Sequence, residues 1–101
     1  MKRIGIITKI VPLKEVEFTM RDNSKNTLAK FGVLVTTGGQ SIYVEFIQDL
    51  ARSLSKTAAV NQTVLIEYDC TAREFQGKDG ETRFDNQLRG RALQIFSDRA
   101  F

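Results

Sequence analysis

The sequence predicts an all-β domain: a five-stranded barrel with one short α-helix between its third and fourth strands. Three observations carry that prediction. Apolar and polar residues alternate with a period of two over five segments. The period changes to helical spacing once, over Gln48–Ala59. Tight turns are marked by Gly38-Gly39 and by Gly77-Lys78-Asp79-Gly80, since glycine supplies the positive φ that short hairpins require. A chain of 101 residues has room for one such domain, expected over 1–96, with a short polar tail at 97–101.

The first strand is expected over Lys2–Val11. Ile4, Ile6 and Ile10 share one face and Ile7 and Val11 the other, a two-sided apolar pattern that suits a strand bending at Gly5 to serve two parts of a barrel. Pro12, the sole proline, is expected to end or interrupt it. In Leu13–Thr27, Val16, Phe18 and Met20 alternate with polar residues like a strand arm, and Asp22-Asn23-Ser24-Lys25-Asn26 signals a turn. We treat this segment as the loop joining strands one and two.

Leu28–Thr37 reads as the second strand, with Phe31, Val33 and Val35 on one face. Ser41–Ile47 reads as the third, with Ile42, Val44 and Phe46 inward and Tyr43 outward beside Glu45. In the helix, Leu50, Ala51, Leu54 and Ala58 form a narrow stripe; Asp49 is placed to cap the N-terminus and Lys56 suits the C-terminal dipole. The fourth strand, Thr63–Phe75, puts Val64, Ile66, Tyr68, Cys70 and Ala72 on one face, and Cys70 is expected to be a small buried hydrophobe. Thr82–Phe96 is the fifth strand. Its apolar parity switches between Leu88 and Leu93, which predicts a bulge near Gly90.

Composition narrows the function. The chain is 42% hydrophobic and 27% charged, so it can build a core, and its net charge of +3 permits an anionic partner without demanding one. One cysteine and no histidine leave no ligand set for structural zinc and no histidine-based catalysis. No Gly-Lys-Ser phosphate loop is present either, so no enzyme, metal or cofactor is expected. The lone cysteine and the lack of a signal peptide or a membrane-length apolar run point to the cytoplasm.

Five antiparallel strands with a helix between the third and fourth is the layout of the OB-fold. There the ligand crosses the face of strands two and three, between the loops joining strands one and two and strands four and five. Here those loops are Leu13–Thr27 and Gln76–Glu81; both carry lysine and both hold or adjoin a phenylalanine. Single-stranded nucleic acid needs that combination, because bases stack on rings while cations track phosphates. The candidates are Phe75, Tyr43 and Phe18 for stacking, and Lys14, Lys25, Arg73, Lys78, Arg83 and Arg89 for phosphate. Arg83 and Arg89 face away from Leu88, giving the last hairpin a basic outer surface. Tyr43 fits a stacking platform or an ordinary surface tyrosine, and Phe75 a stacking ring or an edge aromatic.

From Tyr43 onward the chain also resembles the bacterial single-stranded DNA-binding protein family. The shared order is Phe46 or Ile47, Leu50-Ala51, Val64 to Glu67, Arg73, Phe75, Asp79-Gly80, Arg83 and Phe84, continuous from Leu50 to Leu88. The resemblance implies that Phe75, where the family commonly has tryptophan, stacks on a base, and that Arg73 and Arg83 contact phosphate. It further implies a homodimer or homotetramer, and replication or repair as the setting. The chain departs from the family in having no tryptophan, and Asp98 beside Arg99 replaces an acidic tail cluster. In length it looks like the small primosomal replication protein, a single OB domain, and compact phage members are similar too. The expected function is therefore sequence-tolerant single-stranded DNA binding, with RNA as a close variant. The alternative is an OB assembly module pairing through outer apolar residues such as Ile7 and Val11.

Overall fold

The computed structural model describes residues 1–97, and its order is β1 (Lys2–Thr19), β2 (Lys25–Thr37), β3 (Gln40–Ile47), α1 (Gln48–Thr57), β4 (Thr63–Gln76) and β5 (Thr82–Ser97). The strands close in the order β1-β2-β3-β5-β4, and β1 returns to pair with β4. This is the predicted OB barrel. Of the tail expected at 97–101, Ser97 ends β5 and the rest lies outside the described residues.

β1 closes the barrel by changing partners. Lys2–Ile6 pairs with β4, and from Ile6 onward the strand pairs with β2. At the switch, a Cβ on Gly5 would lie 2.5 Å from Thr37 Oγ1 and 2.7 Å from Val35 Cγ1, so only glycine lets the strands cross this closely.

Of the two outcomes expected at Pro12, the strand is interrupted and does not end. β1 runs to Thr19 because Pro12 falls in a register irregularity between Val11 and Lys14, where no ladder donor is required of it. Leu13–Thr27 is accordingly a two-stranded arm and not a loop. Its turn is held by Ser24, whose backbone N–H and Oγ both donate to Asp22 Oδ1, and by Asn23 at φ 67°. Those two bonds hold the Asp22 carboxyl below its ordinary range.

A second irregularity, at Thr8, shifts the parity of β1. Ile7 pairs with Val35 and Ile10 with Val33, so Ile7 turns inward and is fully buried. It is a core residue, not the outer docking residue expected of it; Val11 does remain exposed. The rest of the core comes from Ala29, Phe31, Val33, Val35, Val44, Phe46, Val64, Ile66 and Tyr68, with Ala51 and Leu54 of α1 packed beneath.

α1 lacks the Asp49 cap. The N-cap residue is Ile47, and no side chain bonds there; Gln48 takes φ 57° and uses its own amide to accept from Ala29 N–H, while Asp49 binds Arg52. The C-terminus is fastened by buried Gln62, which accepts from Ala59 N–H and donates to the Thr57 carbonyl.

The predicted bulge is present: Glu67 pairs with Ala92 and Tyr68 with Gly90, leaving Arg91 as the extra residue. Burial on β4 ends at Tyr68. From Asp69 outward β4 and β5 leave the barrel as a second two-stranded arm, and Cys70 is exposed. The alternation continues there, but the ribbon has no core beneath it, which is why the expected burial of Cys70 fails. Two arms explain a radius of gyration of 15.7 Å where a compact chain of this length has about 13 Å.

Candidate nucleic-acid interface

Inward burial of Phe31, Val33 and Val35 turns the alternate residues of β2 outward. The register then sets three rows across the outer face: Lys9, Leu34 and Tyr43; Val11, Gly32 and Glu45; Lys14, Lys30 and Ile47. Val16, opposite Leu28, and Phe18, opposite Asn26, continue this face along the β1–β2 arm. Lys9, Lys14 and Lys30 make no ion pair among the described residues. Glu45 is the only acid in the three rows.

Tyr43 lies over Gly32. A Cβ there would meet the Tyr43 hydroxyl and sit 2.5 Å from Cζ, so the bare glycine is what lets the ring lie against the sheet. The ring stays 43% exposed, with one side open. Burial of the other side, and then the Glu45 charge, push its phenol above the ordinary value of 10.0.

Beside Tyr43 the barrel wall opens. β3 and β5 run parallel and are bridged at Glu45–Arg89. No pairing continues from that bridge toward the start of β3, and a groove of about 590 Å³ lies there, lined by Ile42, Tyr43, Cys70, Asn86, Leu88 and Arg89 among others. Arg89, at the root of the β4–β5 arm, thus lines the same groove as Tyr43.

The remaining candidates fall into two further groups. Arg73, Phe75, Lys78 and Arg83 gather toward the end of the β4–β5 arm. Arg73 lies 5.6 Å from the Phe75 ring centroid, a cation–π distance, and covers one side of the ring. Arg73 and Arg83 are each held by an aspartate, Asp85 at 3.3 Å and Asp79 at 3.2 Å, and Arg91 binds Asp69 at 2.8 Å. The surface expected to be basic is therefore laced with ion pairs. On the β1–β2 arm, Lys14 and Phe18 share the outer face, whereas Lys25 opposes Thr19 on the reverse side.

Lys9 and Lys30 are not evident as site residues from the sequence. For Lys30 a signal exists, since inward Phe31 requires an outward neighbour. For Lys9 it is hidden, because the Thr8 irregularity resets the parity. The groove has no sequence signal, because it depends on where the pairing of β3 and β5 stops.

No family model matches the sequence, and no curated protein matches it. Solved structures do. The mitochondrial single-stranded DNA binding protein Rim1 of S. cerevisiae, in one crystal form, superposes with a TM-score of 0.59 at 17% identity, covering 95% of this chain and 92% of that one. A second form of Rim1 gives 0.59 at 15% identity with the same coverage. The second OB-fold domain of replication protein A from Methanococcus maripaludis gives 0.62 at 14% identity, covering 99% and 85%. At such identities the likeness establishes the OB fold.

Proposed function

We propose that this chain binds single-stranded DNA without regard to sequence and without catalysis, by stacking bases and contacting phosphates, in DNA replication or repair. The observation that carries the reading is the outer face of β1, β2 and β3. It sets three lysines, unpaired among the described residues, and an open tyrosine on the surface where OB barrels take oligonucleotides. The solved structures with the same fold include proteins named for single-stranded DNA binding.

In this reading Tyr43 supplies the platform on the barrel, worth about 1–3 kcal/mol for one stacked base. Lys9, Lys14, Lys30 and Arg89 neutralise phosphate and set the salt dependence through counterion release. Phe75 offers its uncovered side to a second base on the β4–β5 arm, and Phe18 extends the face along the other arm. Arg73 and Arg83 join by exchanging aspartate for phosphate, since exposed ion pairs are worth only about 0–1 kcal/mol. Lys78 lies within reach of the same arm end, and Lys25 serves a strand that wraps the reverse side. RNA with unpaired bases fits the same groups. Cytoplasmic location and assembly as a homodimer or homotetramer belong to the proposal, and light scattering measures the second.

The apolar residues Val16, Phe18 and Met20, exposed along the β1–β2 arm, favour an OB assembly module as the second reading. Anisotropy of a labelled oligothymidylate, against a duplex of equal length and at low and high salt, decides between them. Binding that prefers the single strand and weakens with salt supports the proposal. Equally poor binding of both at low salt hands the surface to a protein partner.

A further inference from the structure

We infer that Lys14 and Lys30 form a two-lysine phosphate clamp on the outer face of the β1–β2 arm, completed only when a polyanion lies between them. The inference rests on the proposed function and adds a direct pairing of two of its lysines, and a cost in the unbound fold, that the reading itself does not require.

Lys14 and Lys30 are direct cross-strand partners. Like charges set directly opposite one another destabilise an antiparallel pair, and sheets ordinarily place an opposite charge or a neutral residue there. No acid of β1 or β2 flanks this pair on its own face. Glu15 and Glu17, the acids of β1, point to the reverse side, and Glu15 is held there by Arg52 at 2.8 Å. The acid on the same face is Glu45, whose register partner is Gly32. That places it one diagonal from Lys30, with its charge acting on Tyr43. Neither lysine is paired among the described residues.

Val11, Val16 and Leu28 surround the pair on the same face. They give apolar contact to sugars or bases while excluding a competing carboxylate. Directly opposed positions in a sheet stand about 5 Å apart at Cβ. Two flexible ammonium groups on such stems can therefore converge on one phosphate or straddle neighbouring ones, as point charges do without a fixed fork. The fold thus retains a repulsive pair that an anion relieves.

The test compares the parent with Lys14→Gln/Lys30→Gln in two assays. One is the salt slope of oligothymidylate binding; the other is the melting shift produced by inorganic polyphosphate. Neutralising one single-strand phosphate fewer lowers the slope by about 0.7, so the double variant is expected to fall by about 0.7 where both lysines converge on one phosphate and by about 1.4 where they straddle two. Its melting temperature without ligand should match or exceed the parent's, because the repulsion is gone, and its polyphosphate shift should disappear. Lys56→Gln, on α1, should leave slope and shift unchanged. A parent that binds the single strand, with a double variant whose slope and shift are both unaltered, overturns the clamp and leaves the proposed function standing. A parent that ignores the single strand but shows a polyphosphate shift abolished in the double variant sinks the DNA reading and keeps the clamp. A parent with neither response sinks both.

Discussion

Replacing Gly32 by alanine tests whether Tyr43 is held as a platform by the absence of a side chain beneath it. Gly32 does not occupy the positive-φ region, so alanine fits the strand backbone. The added methyl would nevertheless sit 2.5 Å from Tyr43 Cζ and 2.6 Å from Cε1. The obstacle is the far end of one exposed side chain, not backbone, and the ring can swing away. Stability should therefore change little: alanine recovers roughly 0.5–1 kcal/mol of backbone entropy, set against poorer packing of one ring. Binding should suffer much more. Losing one base–aromatic stack costs about 1–3 kcal/mol, which is a weakening of about 5- to 140-fold in Kd. Thermal melting and oligothymidylate anisotropy measure the two quantities. Tyr43→Ala should reproduce the binding loss, and Gly32→Ala added to it should cost almost nothing further, because both act on the same ring. If Gly32→Ala binds as tightly as the parent while Tyr43→Ala does not, the reasoning about the glycine is wrong.

Other expectations concern the barrel seam, the second arm and pH. At Gly90 an alanine Cβ would lie 2.5 Å from Cδ1 and 2.6 Å from Cζ of Phe46. That ring is fully buried, so the clash cannot be relieved outward. Urea unfolding should show a loss of about 1–3 kcal/mol, partly restored by Phe46→Leu; no loss would remove Gly90 from the packing of the seam. Phe75→Ala should leave the melting temperature unchanged and weaken single-strand binding by about 1–3 kcal/mol, whereas unaltered affinity would confine stacking to the barrel. Folding raises the Tyr43 phenol above its ordinary pKa. Its contribution to stability is thus full below that ordinary value and lost as pH rises through the folded value. Tyr43→Phe should flatten this alkaline fall, and an identical pH profile would contradict the shift.

Local periodicity is enough to read much of this architecture. The switch of parity between Leu88 and Leu93 locates the bulge at Gly90, and one change of period locates α1. Failures arise where the outcome depends on partners distant in the chain. Whether Pro12 ends β1 or only interrupts it depends on its position in an irregular stretch of the β1–β2 ladder. Cys70 sits on an apolar stripe, yet alternation does not report that the barrel beneath it ends at Tyr68. Asp49 has the chemistry of a cap, but Gln48 turns its own amide to Ala29 and leaves that role unfilled. The site divides in the same way. Tyr43 is visible as an outward residue and Lys14 as a cation of the first connection, whereas the glycine that seats Tyr43 and the lysine opposite Lys14 need the register. Arg73 and Arg83 are visible as cations, but not as cations already held by aspartates across or along their own arm.

Intrinsic tyrosine fluorescence offers the most direct test of the claim that a single strand lies on the outer face of β3. The chain has two tyrosines and no tryptophan, and Tyr68 is buried while Tyr43 is open. Titration with oligothymidylate at low salt should quench the emission to saturation, and Tyr43→Phe should abolish the quench while the fold remains intact. Saturable binding that leaves the emission unchanged, or a quench that survives in Tyr43→Phe, would contradict the claim.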